Sequence, residues 1–397
     1  MSNGSILTKA EMERLAALYR DGLLEDTLPF WINHSPDMEQ GGFFFGLNRD
    51  GSVVSTDKYM WTHGRFVWLL STVYSSVEAR PEWLELARHG VDFIRRHGFD
   101  SDGRMFFSVT RDGRPLRKRR YLFTESFATI ALAAFAKAAG DDRAAQQALD
   151  LFKLMIRYHT TPGLLDPKVN PKVRPGKGLA MPMILISTAQ VLRETVDDPV
   201  CVEWIERSIE EIERDFVKPE FDAVLELVGP GGEFIDSFEG RLLCPGHAIE
   251  AGWFILREAK RRDDAALRKL GLAILDCSWR KGWDDEYGGF VYYSDAKGLP
   301  CTEYAHDMKL WWPHNEGIIG ALLAYQLTGD EKYAQWHRDA HDWAYARFPD
   351  PEHGEWYGYL HRDGSVSIPL KGNNWKGPFH LPRMQLLCWR LLEEMQG

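Results

Sequence analysis

Long stretches of the chain repeat apolar residues every three or four positions, which is the period of an amphipathic α-helix. This pattern predicts twelve helices, arranged as six consecutive pairs, and several begin at a capping or breaking residue such as Pro81, Asp141 or Pro199. The predicted ranges are 8–28, 60–78, 81–97, 122–139, 142–158, 179–195, 199–215, 246–260, 264–279, 304–328, 331–347 and 379–395.

A second pattern recurs between the helices. The segments 37–53, 284–300 and 350–366 each contain an Asp, a Gly four residues later, alternating aromatic residues and a closing Gly turn, and 102–116 is a weaker copy. Such alternation ending in a Gly turn is typical of a β-hairpin.

The two patterns together predict the architecture. No strand-rich segment alternates with the helices, which disfavours a parallel α/β sheet. Repeated helical pairs point to a repeat architecture. We therefore expect an all-α fold, an (α/α)6 barrel in which six helical hairpins close into a toroid with short β-hairpins in the linkers. Because no linker interrupts the pattern, residues 1–397 are predicted to form one domain.

Composition and charge narrow the class of protein. The 397 residues are 44% hydrophobic and 27% charged, as in ordinary globular proteins, and the 15 Trp suit an apolar site on which sugar rings stack. A net charge of −10 disfavours a nucleic-acid partner, which requires a basic surface. The five scattered Cys resemble reduced thiols, and no segment suits a signal sequence or a membrane span. We expect a cytoplasmic protein without a membrane partner.

Three of the 13 histidines stand out by their context, His247, His314 and His380. His247 begins an apolar helix, and Glu250 lies three residues later on the same face, where its carboxylate can hold one ring nitrogen. The other nitrogen is then free for acid–base chemistry, although a capping histidine with a first-turn glutamate has the same spacing. His380 lies where the loop KGNNWKGPFHLPR (371–383) becomes the last helix.

Further polar residues lie among aromatic ones. Arg65 is in an otherwise aromatic and aliphatic helix, where a buried cation requires a carboxylate or a polar pocket. Glu316 follows Trp312 near a helix start, and Glu125 heads another apolar helix. These residues fit a sugar-lined cleft or, equally, ordinary helix starts. Two carboxylates on separate helices also leave a glycosidase open, whereas signatures of a metal site, a nucleophile or a P-loop are missing from the sequence.

Five segments in order, from about residue 10 to the end, resemble the N-acylglucosamine 2-epimerase family, whose mammalian members are also called renin-binding proteins. They are GGFFFGLNRDGSV, PGHAIEAGWFILR, MKLWWPHNE, DPEHGEWYGYLHRDG and KGNNWKGPFHLPR. The resemblance implies an (α/α)6 barrel. It also implies interconversion of N-acetylglucosamine and N-acetylmannosamine, or epimerisation of a related sugar at C2.

The resemblance also implies which residues act. Two histidines work at C2 in this family, and the matching positions are His247 and His380, with Arg65 and Glu250 as further catalytic residues. The expected substrate-binding residues are Glu316, Trp61, Trp312, Glu125, Trp375 and Lys376.

The chemistry explains these residue types. The C2 hydrogen is acidic only in the open-chain aldehyde, so the ring opens, one base removes the proton and a second group returns a proton to the opposite face. Imidazoles, with a pKa of about 6.5, suit both roles. Arg65 can stabilise the negative charge that develops on O1. This scheme requires no metal and no redox cofactor.

Alternatives share the fold and the site. Proton return to C1 would make an aldose–ketose isomerase, and cellobiose 2-epimerases are also related. Those relatives carry an extra histidine where this chain has AMPMILI (180–186), whose apolar residues leave room for an acetyl methyl. A non-catalytic binding protein is opposed by the intact His247, His380 and Arg65. The family further implies ATP as an allosteric effector, with a loose match at GKGLAMPM (176–183), and a homodimer.

Overall fold

The computed structural model describes residues 6–167 and 169–397, and fourteen α-helices lie within them. They are α1 Lys9–Asp21, α2 Leu28–His34, α3 Met60–Ser76, α4 Pro81–His97, α5 Phe123–Ala139, α6 Asp142–Thr160, α7 Ala180–Leu192, α8 Pro199–Glu211, α9 Phe238–Arg241, α10 Pro245–Arg262, α11 Ala265–Gly282, α12 Trp311–Thr328, α13 Glu331–Tyr345 and α14 His380–Gln396.

Each predicted helix exists, and the bounds of two of them differ most from the prediction. The first helix does not end at residue 28, because a π-helical turn, Gly22–Thr27, joins α1 to α2. The predicted helix 304–328 begins at Trp311 instead, because Lys309–Leu310 forms a strand that pairs with Tyr359–Leu360. The short helices α2 and α9 were not predicted.

The helices form two concentric rings. The inner helices α3, α5, α7, α10, α12 and α14 pack each against the next, and each also packs against one outer helix. Inner helices bury almost every residue, as α12 does from Trp311 to Ala324, whereas outer helices such as α4 bury one stripe. The predicted (α/α)6 barrel is therefore confirmed. The predicted grouping into consecutive pairs is shifted by one helix, because α3 pairs with α4 and the chain ends, α1 and α14, form the sixth pair.

Short antiparallel strands connect the rings. They are β1 Gly46–Leu47, β2 Val53–Ser55, β3 Lys58–Tyr59, β4 Ser108–Val109, β5 Pro115–Arg117, β6 Lys177–Gly178, β7 Val217–Lys218, β8 Ala223–Val224, β9 Leu227–Val228, β10 Leu242–Leu243, β11 Ser294–Asp295, β12 Lys309–Leu310, β13 Tyr359–Leu360 and β14 Val366–Ile368. Their sheets have the strand orders β1-β2, β3-β4-β5, β6-β9, β7-β8, β10-β11 and β12-β13-β14.

Three of the four predicted hairpins are present, as β1-β2, β4-β5 and β13-β14. The hairpin predicted at 284–300 was wrong. Its strand β11 pairs instead with β10, which precedes α10, so a distant segment supplies the second strand.

The Asp that opens each strong repeat has a structural role. It is buried and binds one Lys from the strand or loop before an inner helix and one Arg from a Gly turn. The three sets are Asp37 with Lys58 and Arg111, Asp284 with Lys309 and Arg362, and Asp350 with Lys371 and Arg49. Burial raises the pKa of these carboxyls, but hydrogen bonds from the two cations lower it more, to well below the usual range. Each repeat is thereby pinned beside the start of an inner helix.

No helix in the described part of the chain combines the length and the apolar character needed to cross a bilayer. The five cysteines have free thiols, and only Cys301 is partly exposed.

Candidate active site

The residues predicted to act lie at the N-terminal ends of the inner helices. Arg65 on α3, His247 and Glu250 on α10, Glu316 on α12 and His380 on α14 all fall within the first two turns. Ion pairs between α10, α12 and α14 bring these ends together at one rim of the barrel. The positive ends of the helix dipoles therefore converge at this rim, where they favour a bound anion.

His247 is held by a glutamate that the sequence did not indicate. Its Nδ1 is 3.1 Å from Glu226 Oε1, in the turn between β8 and β9, rather than next to Glu250 as predicted. Because a carboxylate only accepts here, Nδ1 donates and Nε2 remains for chemistry. Burial alone lowers the pKa of His247, but the Cys244 sulfur and the Glu226 carboxylate raise it, and the net pKa is well above the usual value.

Glu250 turns to a different partner. The Nη2 atom of Arg383 donates to Glu250 Oε1 at 2.6 Å and to Glu316 Oε1 at 2.7 Å. All three side chains are buried, so each charge requires the others. The expectation that Glu250 orients His247 is corrected, because a buried guanidinium competes for the same carboxylate.

His380 is held in a similar way. Its Nδ1 lies 2.7 Å from Glu316 Oε1, and the other oxygen of Glu316 accepts from Trp253 Nε1 at 2.8 Å. Burial, reinforced by the positive charge of Arg383, holds the pKa of His380 well below the usual value, against the opposing effect of Glu250. The two histidines therefore have pKa values displaced in opposite directions.

A tryptophan lies beside both imidazoles. The ring centroid of Trp312 is 5.1 Å from that of His247 and 5.7 Å from that of His380. The predicted pair is thus brought into one site although 133 residues separate the two histidines in the sequence.

Arg65 is a buried cation for which no ion pair with a carboxylate occurs within the described residues. Its guanidinium lies over the rings of Phe127 at 4.0 Å and Trp61 at 4.4 Å, and Nη1 donates to the carbonyl of Trp375 at 3.4 Å. Nε has no partner in the described structure. Burial lowers the pKa of Arg65 to about 9, so the group remains cationic at neutral pH. Donors left unsatisfied in this way suit a bound oxyanion.

Two tryptophans form a wall beside Arg65. Trp61 and Trp375 are in edge contact at 5.4 Å, and Trp61 Nε1 donates to the carbonyl of Asn374 at 3.0 Å. Trp375 is 44% exposed, which is unusual for so large a ring in a protein whose aromatic residues are mostly buried. An exposed indole next to polar groups suits stacking against a sugar.

The structure does not support substrate contacts by Glu125 and Lys376. Glu125 is fully buried, and its Oε1 accepts from Arg104 Nε at 2.5 Å. Lys376 is also fully buried, where its ammonium binds the carboxylate of Glu355 and the carbonyl of Lys371. The sequence places both residues near a helix start, which suggested a place in the site. Each side chain instead forms an ion pair with a residue of a repeat segment, Arg104 for Glu125 and Glu355 for Lys376.

Other histidines have structural roles. His63 and His314 each bond a carbonyl four residues earlier and accept a backbone N–H from the preceding repeat, and burial lowers the pKa of each to about 3. His337 and His341 are buried and share the hydroxyl of Tyr19. Charged residues lie close to both histidines in the sequence, but both imidazoles are on the buried face of α13.

Two residues of the site were not predicted, Glu226 and Arg383. Arg383 lies one turn after His380 among the mainly apolar residues that begin α14, which is a signal that could have been used. Glu226 is 21 residues before His247 and has no local pattern that connects the two.

Two clusters in the described residues place three possible metal ligands within 4.8 Å of one another. They are Glu226, Cys244 and His247, and Glu250, Glu316 and His380. The guanidinium of Arg383 already occupies the cation position of the second cluster. In the segment compared with an ATP site, the Lys177 ammonium binds Asp215 and Glu211.

Known proteins match this chain over most of its length. Residues 42–380 match the family N-acylglucosamine 2-epimerase (GlcNAc 2-epimerase). The N-acylglucosamine 2-epimerase of Bos taurus is 37% identical over 385 residues, covering 94% of this chain and 90% of the relative. The enzyme of that name from Homo sapiens is 34% identical, covering 94% and 88%.

A solved structure supports the architecture. The cellobiose 2-epimerase of Bacillus thermoamylovorans superposes with a TM-score of 0.84 at 20% identity, covering 96% of this chain and all of the other. At that identity the likeness shows the fold. The family match over residues 42–380 and the identity to the relatives establish that this chain belongs to the N-acylglucosamine 2-epimerase family.

Proposed function

We propose that the protein is a sugar 2-epimerase that interconverts N-acetylglucosamine and N-acetylmannosamine, or a close N-acylhexosamine pair. The observation that carries the proposal is the pair of imidazoles beside Trp312, each held at Nδ1 by a carboxylate. Such a pair is what proton transfer on two faces of one carbon requires, because a single base reaches only one face.

The opposite displacement of the two pKa values assigns the roles. His380 is neutral at neutral pH and can accept the C2 proton of the open-chain sugar. His247 is protonated and can donate from the other face. Two titratable groups whose surroundings push their pKa values apart are a natural base and acid. In the reverse reaction the roles exchange, since the product complex holds His380 protonated and His247 neutral.

The intermediate carries negative charge on O1, and the rim supplies the means to stabilise it. Arg65 has an unsatisfied donor at Nε, and its aromatic surroundings strengthen the interaction of the guanidinium with an anion. The N-terminal ends of the inner helices add positive potential. This arrangement supports proton abstraction next to a carbonyl more directly than glycoside hydrolysis, since Glu250 and Glu316 are both bound to Arg383.

The acyl sugar is favoured over a disaccharide by the match to the N-acylglucosamine 2-epimerase family. It is also favoured by the start of α7, which carries the buried apolar residues Pro182, Met183 and Ile184 and lacks the extra histidine of the related enzymes. ATP as an effector, a homodimeric assembly and a cytoplasmic location stay predictions.

The test follows N-acetylmannosamine in deuterated water by NMR at C2, with and without ATP. Wild type should give N-acetylglucosamine carrying deuterium at C2, and His247→Asn and His380→Asn should give no epimer. His247→Asn should still exchange the C2 hydrogen of one epimer without inversion, because the neutral imidazole of His380 remains as a base. His380→Asn should exchange it far more slowly at neutral pH, because the remaining His247 is protonated. His361→Asn, at an exposed turn, is the matched control.

Three outcomes would oppose the proposal. Formation of a ketose would identify an aldose–ketose isomerase, and turnover of cellobiose but not of the acyl sugar would identify a cellobiose-type enzyme. Near-normal epimerisation by both histidine variants would refute the two-histidine mechanism.

A further inference from the structure

The third strong repeat departs from the other two at one position. The residue that follows the Gly of the Asp-x-x-x-Gly segment is Gly42 in the first repeat, Gly289 in the second and Glu355 in the third. All three have left-handed backbone conformation, with φ of 71°, 71° and 54°. Glycine adopts this conformation freely, whereas it is strained for glutamate.

The position opposite changes in the same repeat. Five residues after the lysine that pins each repeat, the chain has His63, His314 and Lys376. In the first two repeats a Cβ on the glycine would come within 2.7 Å of the histidine Nε2, so only glycine fits. In the third, the Glu355 carboxylate binds the Lys376 ammonium. A buried ion pair therefore replaces the glycine–histidine contact.

The chain beyond the pinning lysine also differs. Helices α3 and α12 begin two residues after Lys58 and Lys309, but α14 begins nine residues after Lys371. The intervening segment, residues 371–379, is called the rim loop below. In the other two repeats the first two of the corresponding residues form a strand, and the rest form the first helical turns, from Met60 and Trp311.

The rim loop serves the site through its backbone and one side chain. The carbonyl of Asn374 accepts from Trp61, the carbonyl of Trp375 accepts from Arg65, and the Trp375 ring completes the exposed wall. A regular helix here would use these carbonyls internally. The loop then leads directly into His380.

Both members of the ion pair are at most 1% exposed in their side chains. The backbone N–H of Glu355 donates to Asp26 at 2.9 Å, and Lys376 also donates to the carbonyl of Lys371 at 2.9 Å. Strained backbone persists only where its surroundings hold it, and it concentrates at functional sites. Glu355 fits that description because the sister repeats show that glycine satisfies the same turn.

We propose that Glu355 and Lys376 are positioning residues that hold the rim loop unwound, so that Trp375, Arg65 and His380 are set for the reaction. The inference rests on the proposed function. Neither residue touches substrate in this scheme, because both are enclosed by protein.

The test gives the third repeat the residues of its sisters, in the double variant Glu355→Gly with Lys376→His. Both buried charges are removed together, so neither is left unpaired. Hydrogen exchange of the peptide that covers the rim loop should become at least about tenfold faster. The value of kcat should fall at least about tenfold, since displacement of catalytic groups by 1 Å can have a hundredfold effect.

Asp263→Gly is the matched control, since Asp263 is another non-glycine residue with positive φ, 51°, but lies at the C-terminal end of α10. It should leave rim-loop exchange and kcat at wild-type values. If the double variant did not fold, Glu355→Gln, which keeps a hydrogen-bonding group, would be measured in the same way and should show a smaller increase in exchange.

Wild-type exchange and wild-type kcat in the folded double variant, or in Glu355→Gln if that is the variant measured, would overturn the proposal. If the wild type itself lacked epimerase activity, the proposed function would fail, whereas the exchange measurement would still decide whether the pair holds the loop.

Discussion

Replacing Glu226 by glutamine tests the assignment of His247 as the protonated partner. The carboxylate lies 3.1 and 3.2 Å from His247 Nδ1 through its two oxygens. Glutamine has nearly the same shape and can still accept from Nδ1, but it carries no charge. The variant therefore removes the charge and keeps the contact.

The expected effect follows from the strength of that contact. A hydrogen bond to a charged group contributes about 1.5–3 kcal/mol and a neutral one about 0.5–1.5 kcal/mol. The difference is about 1–1.5 kcal/mol, and one pKa unit corresponds to about 1.4 kcal/mol. The His247 side chain is 30% exposed, so solvent screens part of the charge. The pKa of His247 should fall by about one unit or slightly less.

The assay is the pH dependence of kcat/KM. Protonation of His380 removes the base on the acidic side, and deprotonation of His247 removes the acid on the alkaline side. Because the pKa of His247 is raised in the wild type, the imidazolium persists at neutral pH and is lost only at higher pH. Glu226→Gln should move the alkaline limb towards neutral pH by about one unit and leave the acidic limb in place. The same shift should be seen with either epimer, since their ratio of kcat/KM is fixed by the equilibrium constant.

Glu220→Gln is the control, because Glu220 is an exposed glutamate on the same segment. An unchanged alkaline limb in Glu226→Gln, with normal folding, would refute the argument that this carboxylate keeps His247 protonated.

Three further predictions concern stability. Arg383→Met should lower the free energy of unfolding by about 3–5 kcal/mol in urea titrations, because Glu250 and Glu316 lose the cation between them; an unchanged midpoint would contradict this. Asp350→Asn should lower the free energy of unfolding by a similar amount near neutral pH. The difference in free energy between this variant and the wild type should narrow as the pH falls below about 4. The reason is that the pKa of Asp350 is lower in the folded than in the unfolded protein, so its carboxylate stabilises the fold fully only above the pKa of the unfolded state. Tyr19→Phe should cost about 1–2 kcal/mol in the same titrations, since two buried imidazoles lose their shared hydroxyl; no loss would show that they find other partners.

The repeats show where reading of the sequence succeeded and where it stopped. The Asp-x-x-x-Gly segments were found, and three of four fold as the predicted hairpins. The segment at 284–300 does not, because β10 offers a partner strand from elsewhere in the chain. Alternating aromatic residues show that a segment can form a β-strand, but they do not identify the strand with which it pairs.

The site shows the same division. His247 and His380 were found from their positions at helix starts and from the family resemblance, and the structure brings both to Trp312. The partner of His247 was predicted as Glu250, on the same helix face, but is Glu226. Spacing along one helix cannot show that Arg383, which is 133 residues away in the sequence, donates a hydrogen bond to the Glu250 carboxylate.

By itself the sequence determined the twelve principal helices, the barrel class that they form, and the positions of the two histidines. These follow from side-chain period and from residues at helix ends, which are local properties of the backbone. The tertiary structure alone decided which carboxylate holds each imidazole, which buried charges pair and why Lys376 faces Glu355. These pairings depend on closure of the ring, because closure brings residues that are far apart in sequence within hydrogen-bonding distance. It also leaves each buried charge with only a few groups of opposite charge within reach.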